Sequence, residues 1–262
     1  MIYGNLKEQK IVKDLIEKNK SPILIVGPEG VGKFSFVLEF LKEKDDEKIV
    51  FDSQERFFKI DSARFLVSLS QRKSKRRIII INDVHKFSYP NPQIIQGPLL
   101  KTLEETPSET IFILVTHKQH KILPTIRSRS IQVKFGLVSK EETLKFLKEN
   151  NFNDDEINYA LNFYPYQPGK ALKLLKEKKK LEIFNKFITN QDLDLENLKN
   201  HFNLNEFLEN YILFKRNELL KKINQPLTKE ISHLKEALDL YYNSDYNLNF
   251  ELQLANLILN NG

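Results

Sequence analysis

The chain has 262 residues, 40% of them hydrophobic and 29% charged, with a formal net charge of +6 and no cysteine. That length holds one large domain or two to three small ones, and the balance excludes a disordered chain, disulfides and thiolate zinc sites. No apolar run approaches the roughly 18 residues that cross a bilayer, and residues 1–20 are too charged for a secretory signal, so a cytoplasmic location is expected.

In chain order, "KEQKIVKDLIEKN" puts Ile11, Leu15 and Ile16 on one helical stripe. "SPILIVG" reads as a buried parallel strand, and "KFSFVLEFLKEK" returns to helical spacing. "RRIIIIND" and "TIFILVTH" read as two further strands. Between them, "QGPLLKTLEETP" reads as a helix starting near Gly97 or Pro98 and stopping before Pro107. Strands alternating with helices imply a parallel sheet covered on both faces.

After about residue 138 the strands stop. Ser139, with Glu142 three positions on, forms a capping-box pattern ahead of "KEETLKFLKEN". "DDEINYALNFY" and "GKALKLLKEKKK" continue as short helices. "LEIFNKFI", "NEFLENYILFKRNELLKKI", "EISHLKEALDLYY" and "NFELQLANLIL" follow as helices with wide apolar faces. Three domains are expected: an α/β domain over 1–137, a small helical unit over 138–181 and a helical bundle over 182–262. The bundle's apolar residues include Phe207, Tyr211, Ile212, Leu213, Leu252, Leu257 and Ile258. Many must fill its own core, but so much apolar surface also points to a partner. The basic runs Arg72–Arg77 and Lys176–Lys180 are of a kind that meets nucleic-acid phosphates, although solvated helix ends or loops are the plainer reading.

"GPEGVGKF" matches the phosphate-binding loop G-x-x-x-x-G-K-[ST] at Gly27, Gly32 and Lys33, with Gly30 between them. Its last position holds Phe34, which has no hydroxyl for magnesium. Ser35 is no easy substitute, because one helical step turns a side chain by about 100°. The second strand ends at Asp83, a candidate magnesium neighbour. Val84 follows where hydrolytic P-loop proteins commonly carry a water-positioning glutamate. Two absent groups point to a site without hydrolysis. His85, His117 and His120 show no ligand spacing, so packing or surface roles are expected and no metal site is assigned.

The stretch "QGPLLKTLEETPSETIFILVTHKQHKILPTIRSRS", with "YGNLKEQKIVKDLI", "GPEGVGK", "QPGKAL" and "NFELQLANLILN", resembles the AAA+ clamp-loader subunits of bacterial DNA polymerase III. The resemblance implies an AAA+ α/β nucleotide-fold domain with a parallel sheet, then a helical lid and an all-α collar that oligomerises. Phe34 and Val84 resemble the delta-prime branch, whose own site is degraded, more than the gamma and tau motors. "SRS" (Ser128–Ser130) replaces the family's "SRC", and the family's four-cysteine zinc module is missing.

On that resemblance Arg129 is the arginine finger acting on a neighbouring subunit's ATP, with Arg127 as the alternative. Thr116 matches the γ-phosphate sensor and Lys170 the lid's basic sensor; a strand-end hydroxyl and an ordinary helix-start residue are the plainer readings. Gly27, Gly30, Gly32, Lys33, Asp83, Thr116 and Lys170 then form a vestigial nucleotide site. The implied protein is no enzyme by itself and needs no cofactor of its own, ATP–Mg belonging to adjacent motor subunits. Its partners would be gamma/tau- and delta-type subunits, the sliding clamp and primer–template DNA. An active ATPase of the same family is the first alternative. A standalone nucleic-acid-binding or nucleotide-kinase protein is the second, with no acceptor site or lid arginines in view.

Overall fold

The computed structural model describes residues 3–52, 76–88, 99–100, 102–104, 109–188, 195–221 and 228–243. The chain divides into two units, one of Met1–Glu149 with Tyr166–Lys170, the other of Asn150–Pro165 with Ala171–Gly262. Among the described residues, no helix is long and apolar enough to cross a membrane.

The first unit is built on five parallel strands: β1 (Ile23–Val26), β2 (Glu47–Phe51), β3 (Arg77–Ile81), β4 (Thr110–Thr116) and β5 (Ile131–Lys134). Their order is β2-β3-β4-β1-β5. Side chains alternate across a strand, so the continuous apolar runs of β1, β3 and β4 feed both faces. On one face Ile23, Ile25, Ile78, Ile80, Ile111 and Ile113 pack with Val12 and Ile16 of α1 (Leu6–Glu17) and with Phe36, Val37 and Leu41 of α2 (Lys33–Leu41). On the other, Leu24, Ile79, Ile81, Phe112 and Leu114 meet Leu99, Leu103 and Ile126. Residues 99–100 and 102–104 are helical, and Ile126 lies in α3 (Pro124–Arg129). The helix expected from Gly97 or Pro98 is thus seen in its described part, while its start and its stop before Pro107 lie outside the described residues. Each such side chain removed from water is worth about 1.5–3 kcal/mol, so the sheet core dominates this unit's stability.

The two strands missing from the sequence reading, β2 and β5, are the sheet's edges. The "RKSKRR" run does not offer its last two members as a phosphate surface. Arg77 is buried and donates from Nε to Glu47 Oε2 at 2.8 Å, and Arg76 pairs with Asp46. Residues 72–75 lie outside the described residues. The expected capping box holds α4 (Lys140–Glu149): Ser139 Oγ accepts from Glu142 N at 3.2 Å, and Glu142 Oε2 accepts from Ser139 N at 3.3 Å.

The second unit is helical: α5 (Asp154–Phe163), the later part of α6 (Pro168–Lys176), α7 (Lys178–Ile188), α8 (Leu195–His201), α9 (Leu204–Lys221) and α10 (Thr228–Asn243). The break after Lys176 comes earlier than the sequence reading put it, and the KKK run opens α7 instead of ending α6. Lys180 is paired with Glu177 and Glu206. An aromatic core of Phe163, Phe184, Phe187, Phe202, Phe207 and Tyr211 holds the unit, with ring centroids 5.0 Å apart for Phe187 and Phe207. Phe207 and Tyr211 are buried there, among the apolar residues that fill the bundle's own core, while Ile212 and Leu213 are half-buried. Leu252, Leu257 and Ile258, with the "NFELQLANLIL" helix, lie outside the described residues.

Candidate functional site at the strand ends

The C-terminal ends of β1, β3, β4 and β5 share one edge. Val26 is opposite both Thr116 and Lys134, and Ile81 is opposite Leu114. In a parallel sheet that edge is where ligands bind, because the loops there are free to shape a crevice.

The loop after β1 begins at Gly27, whose φ is 150°. A Cβ there would lie 2.3 Å from the Phe135 carbonyl oxygen, so the β1 and β5 loops approach too closely for any other residue. Gly30 has φ 76°, and its carbonyl accepts from Gly169 N at 2.7 Å. Gln167 Nε2 donates to Glu29 O at 3.0 Å, and Lys170 Nζ lies 3.4 Å from Glu29 Oε2. The turn carrying Lys170 therefore rests on the glycine loop. Burial alone would raise the Glu29 carboxyl, but the charges of Lys170 and His117 hold it below its ordinary value.

Gly32 precedes α2, and Lys33 is its first residue. Lys33 is buried, and its ammonium donates to Gly27 O at 2.8 Å and Pro28 O at 2.5 Å. It is folded back on its own loop. Burial pushes it down to about 8, with Asp83 and Glu29 pulling the other way.

The two positions that break the motif are filled by packing. Phe34 is half-buried against the α1/α2 face of the sheet, while Ser35 is exposed. Val84 is fully buried on the opposite face, in the cluster of Leu99, Leu103, Ile122 and Ile126. Neither can touch a magnesium ion or orient water.

Asp83 is in the left-handed region at φ 50°. Its Oδ1 lies 3.2 Å from His117 Nδ1 and its Oδ2 3.1 Å from Lys86 Nζ. Burial opposes ionisation, yet those two neighbours hold the carboxyl well below its usual range. Thr116 is buried; its hydroxyl oxygen accepts from Lys118 N and meets His85 Nδ1, both at 3.0 Å. Burial and the nearby His117 push His85 down to about 4, against the opposing pull of Asp83, so the ring is neutral at pH 7. The His85 and His117 rings stand edge to face at 4.4 Å. Spacing in the chain scattered these histidines; the β3–β4 pairing gathers two of them, and His120 stays apart. Strand pairing was the only signal that joins them.

Arg129 closes α3. Its Nε pairs with Glu104 Oε1 at 2.6 Å, and Nη1 donates to Thr125 O at 3.3 Å. The side chain is 47% exposed. Arg127 is half-buried, and its Nε has no hydrogen-bond partner among the described residues. Of the two arginines, Arg129 is the one presented at the surface.

A glycine loop between a central parallel strand and a helix, facing an acidic strand end, fits an α/β P-loop fold of the AAA+ type. A family model described as "DNA polymerase III, delta subunit" matches residues 42–139. The chain is 33% identical over 161 residues to the DNA polymerase III subunit gamma of Buchnera aphidicola from Schizaphis graminum, covering 58% of this chain and 43% of that protein. It is 32% identical over 87 residues to the delta-prime subunit of Buchnera aphidicola from Baizongia pistaciae, covering 33% of this chain and 25% of the relative. The chain thus spans less than half the length of these curated relatives. A gamma subunit-related protein of Thermotoga maritima superposes with a TM-score of 0.59 at 18% identity, over 96% of this chain and 97% of the other, which speaks for the fold alone. The family model and both curated relatives are DNA polymerase III subunits, and each matches part of this chain.

Proposed function

We propose that this protein is a non-hydrolysing, delta-prime-like subunit of the DNA polymerase III clamp loader, helping ATP-driven placement of the sliding clamp on primed DNA. The observation that carries the reading is the commitment of Phe34 and Val84 to the two faces of the sheet core. Gly27, Gly30, Gly32, Lys33, Asp83, Thr116 and Lys170 keep the outline of a nucleotide site without its hydrolytic groups. Its organisation is α/β domain, lid and collar, the collar joining gamma/tau- and delta-type subunits in a hetero-oligomeric ring. Arg129 supplies the trans-acting finger; its surface pair with Glu104 is worth at most about 1 kcal/mol, so a phosphate oxygen can replace it.

Purified protein should hydrolyse no ATP, and any nucleotide binding should be weak and largely magnesium-independent. Turnover abolished by Lys33→Ala would instead favour the second reading, an active gamma-like ATPase. That reading draws on the gamma-named relative.

A further inference from the structure

The pairing of β3 with β4 places Asp83, His85 and His117 so that one donor atom from each lies within 4.8 Å of the others. We infer that these three side chains form a transition-metal site of the Zn(II) class that fills without nucleotide. The Asp83 Oδ1 to His117 Nδ1 distance of 3.2 Å suits two donors on one ion. Donors each about 2.1 Å from a shared ion stand roughly 3–3.5 Å apart. Thr116 meets His85 at Nδ1, so Nε2 is the nitrogen that His85 would turn toward the ion. A hydrogen bond to one ring nitrogen is the usual device that orients the other toward a metal. Bringing His85 into the sphere needs a small shift of its ring, whose neighbour His117 lies at the solvent edge.

The donor set selects the ion. Two imidazoles and one carboxylate suit zinc, cobalt, nickel or ferrous iron, whereas magnesium keeps an octahedral shell of oxygens. Phe34 adds no hydroxyl that would shift the preference back. Lys86, on the outer carboxylate oxygen, opposes a second positive charge but also holds Oδ1 toward His117. Asp83 and His117 are 21% and 18% exposed, so an ion can enter and water can complete its shell. The site is independent of the clamp-loader reading, since it requires no ATP and no partner.

The test is calorimetric titration of the full, chelator-stripped chain with Zn(II), and absorption titration with Co(II). One ion per chain is expected, with visible cobalt ligand-field bands and no displacement by excess Mg(II). His117→Ala, at the solvent edge, should weaken zinc binding by about tenfold or more while leaving the circular dichroism unchanged. His120→Ala should leave binding intact. No saturable Zn(II) or Co(II) uptake would overturn the assignment, as would equal affinity in His117→Ala or an equal loss in His120→Ala. Because none of these readouts involves ATP turnover or loader assembly, the site and the proposed function fail separately.

Discussion

Acid should weaken the first unit through His85, and the size of the effect follows from its burial. The side chain is 5% exposed, facing His117, Asp83, Lys86 and Lys118, and its pKa is pushed down from 6.5 to about 4. The unfolded chain therefore binds a proton between pH 6.5 and 4 that the folded chain refuses. Stability must fall as pH drops through that window and level off below it. At pH 4.5 the two pKa values give a loss of roughly 2–3 kcal/mol relative to pH 7.5. In chelator-treated protein, urea unfolding followed by circular dichroism should show it, with exchange of the β3 amides as the local readout. His85→Gln, which cannot titrate, provides the reference, because Asp83, Glu29 and the other carboxylates act in both proteins. The wild type's advantage over the variant should shrink by roughly 2–3 kcal/mol at pH 4.5, a relative midpoint shift of about 1–2 M urea. An advantage of the same size at both pH values would refute a buried neutral histidine.

Three further outcomes follow from the same geometry. Val84→Glu, which restores the family's water-positioning group on paper, puts a carboxylate into the apolar cluster and should lower stability by about 3–5 kcal/mol; an unchanged urea midpoint would contradict the packing. Arg129→Ala should change the free protein's stability by less than about 1 kcal/mol, yet slow the reconstituted loader's DNA-stimulated ATPase, with Arg129→Lys a poor rescue. Wild-type loading rates in that complex would remove the finger assignment; fingers are worth roughly 10³–10⁵ where hydrolysis depends wholly on them. Deletion of residues 182–262 should abolish association with other loader subunits while the α/β domain stays folded, as size-exclusion chromatography and circular dichroism would show.

What was legible in the sequence depended on how local its signal is. The interior strands β1, β3 and β4 are buried along their whole length and announced themselves as apolar runs. The edges, β2 and β5, bury few residues, so "EKIVF" and "IQVK" carry too little hydrophobic signal to read as strands. The second capping box, Asn153 with Glu156, is as local a signal as the first. The glycine loop was legible because its residues are contiguous, whereas the Asp83–His85–His117 cluster exists only through the pairing of distant strands. Phe34 and Val84 show what the sequence could not: each supplies apolar packing, and they do so on opposite faces of one sheet. Restoring a hydroxyl at one position would unpack the α1/α2 face, and restoring a carboxylate at the other would charge the opposite core. On the proposed reading, placing a hydrolytic group at either position should cost stability, which ties the chemistry of this site to its packing.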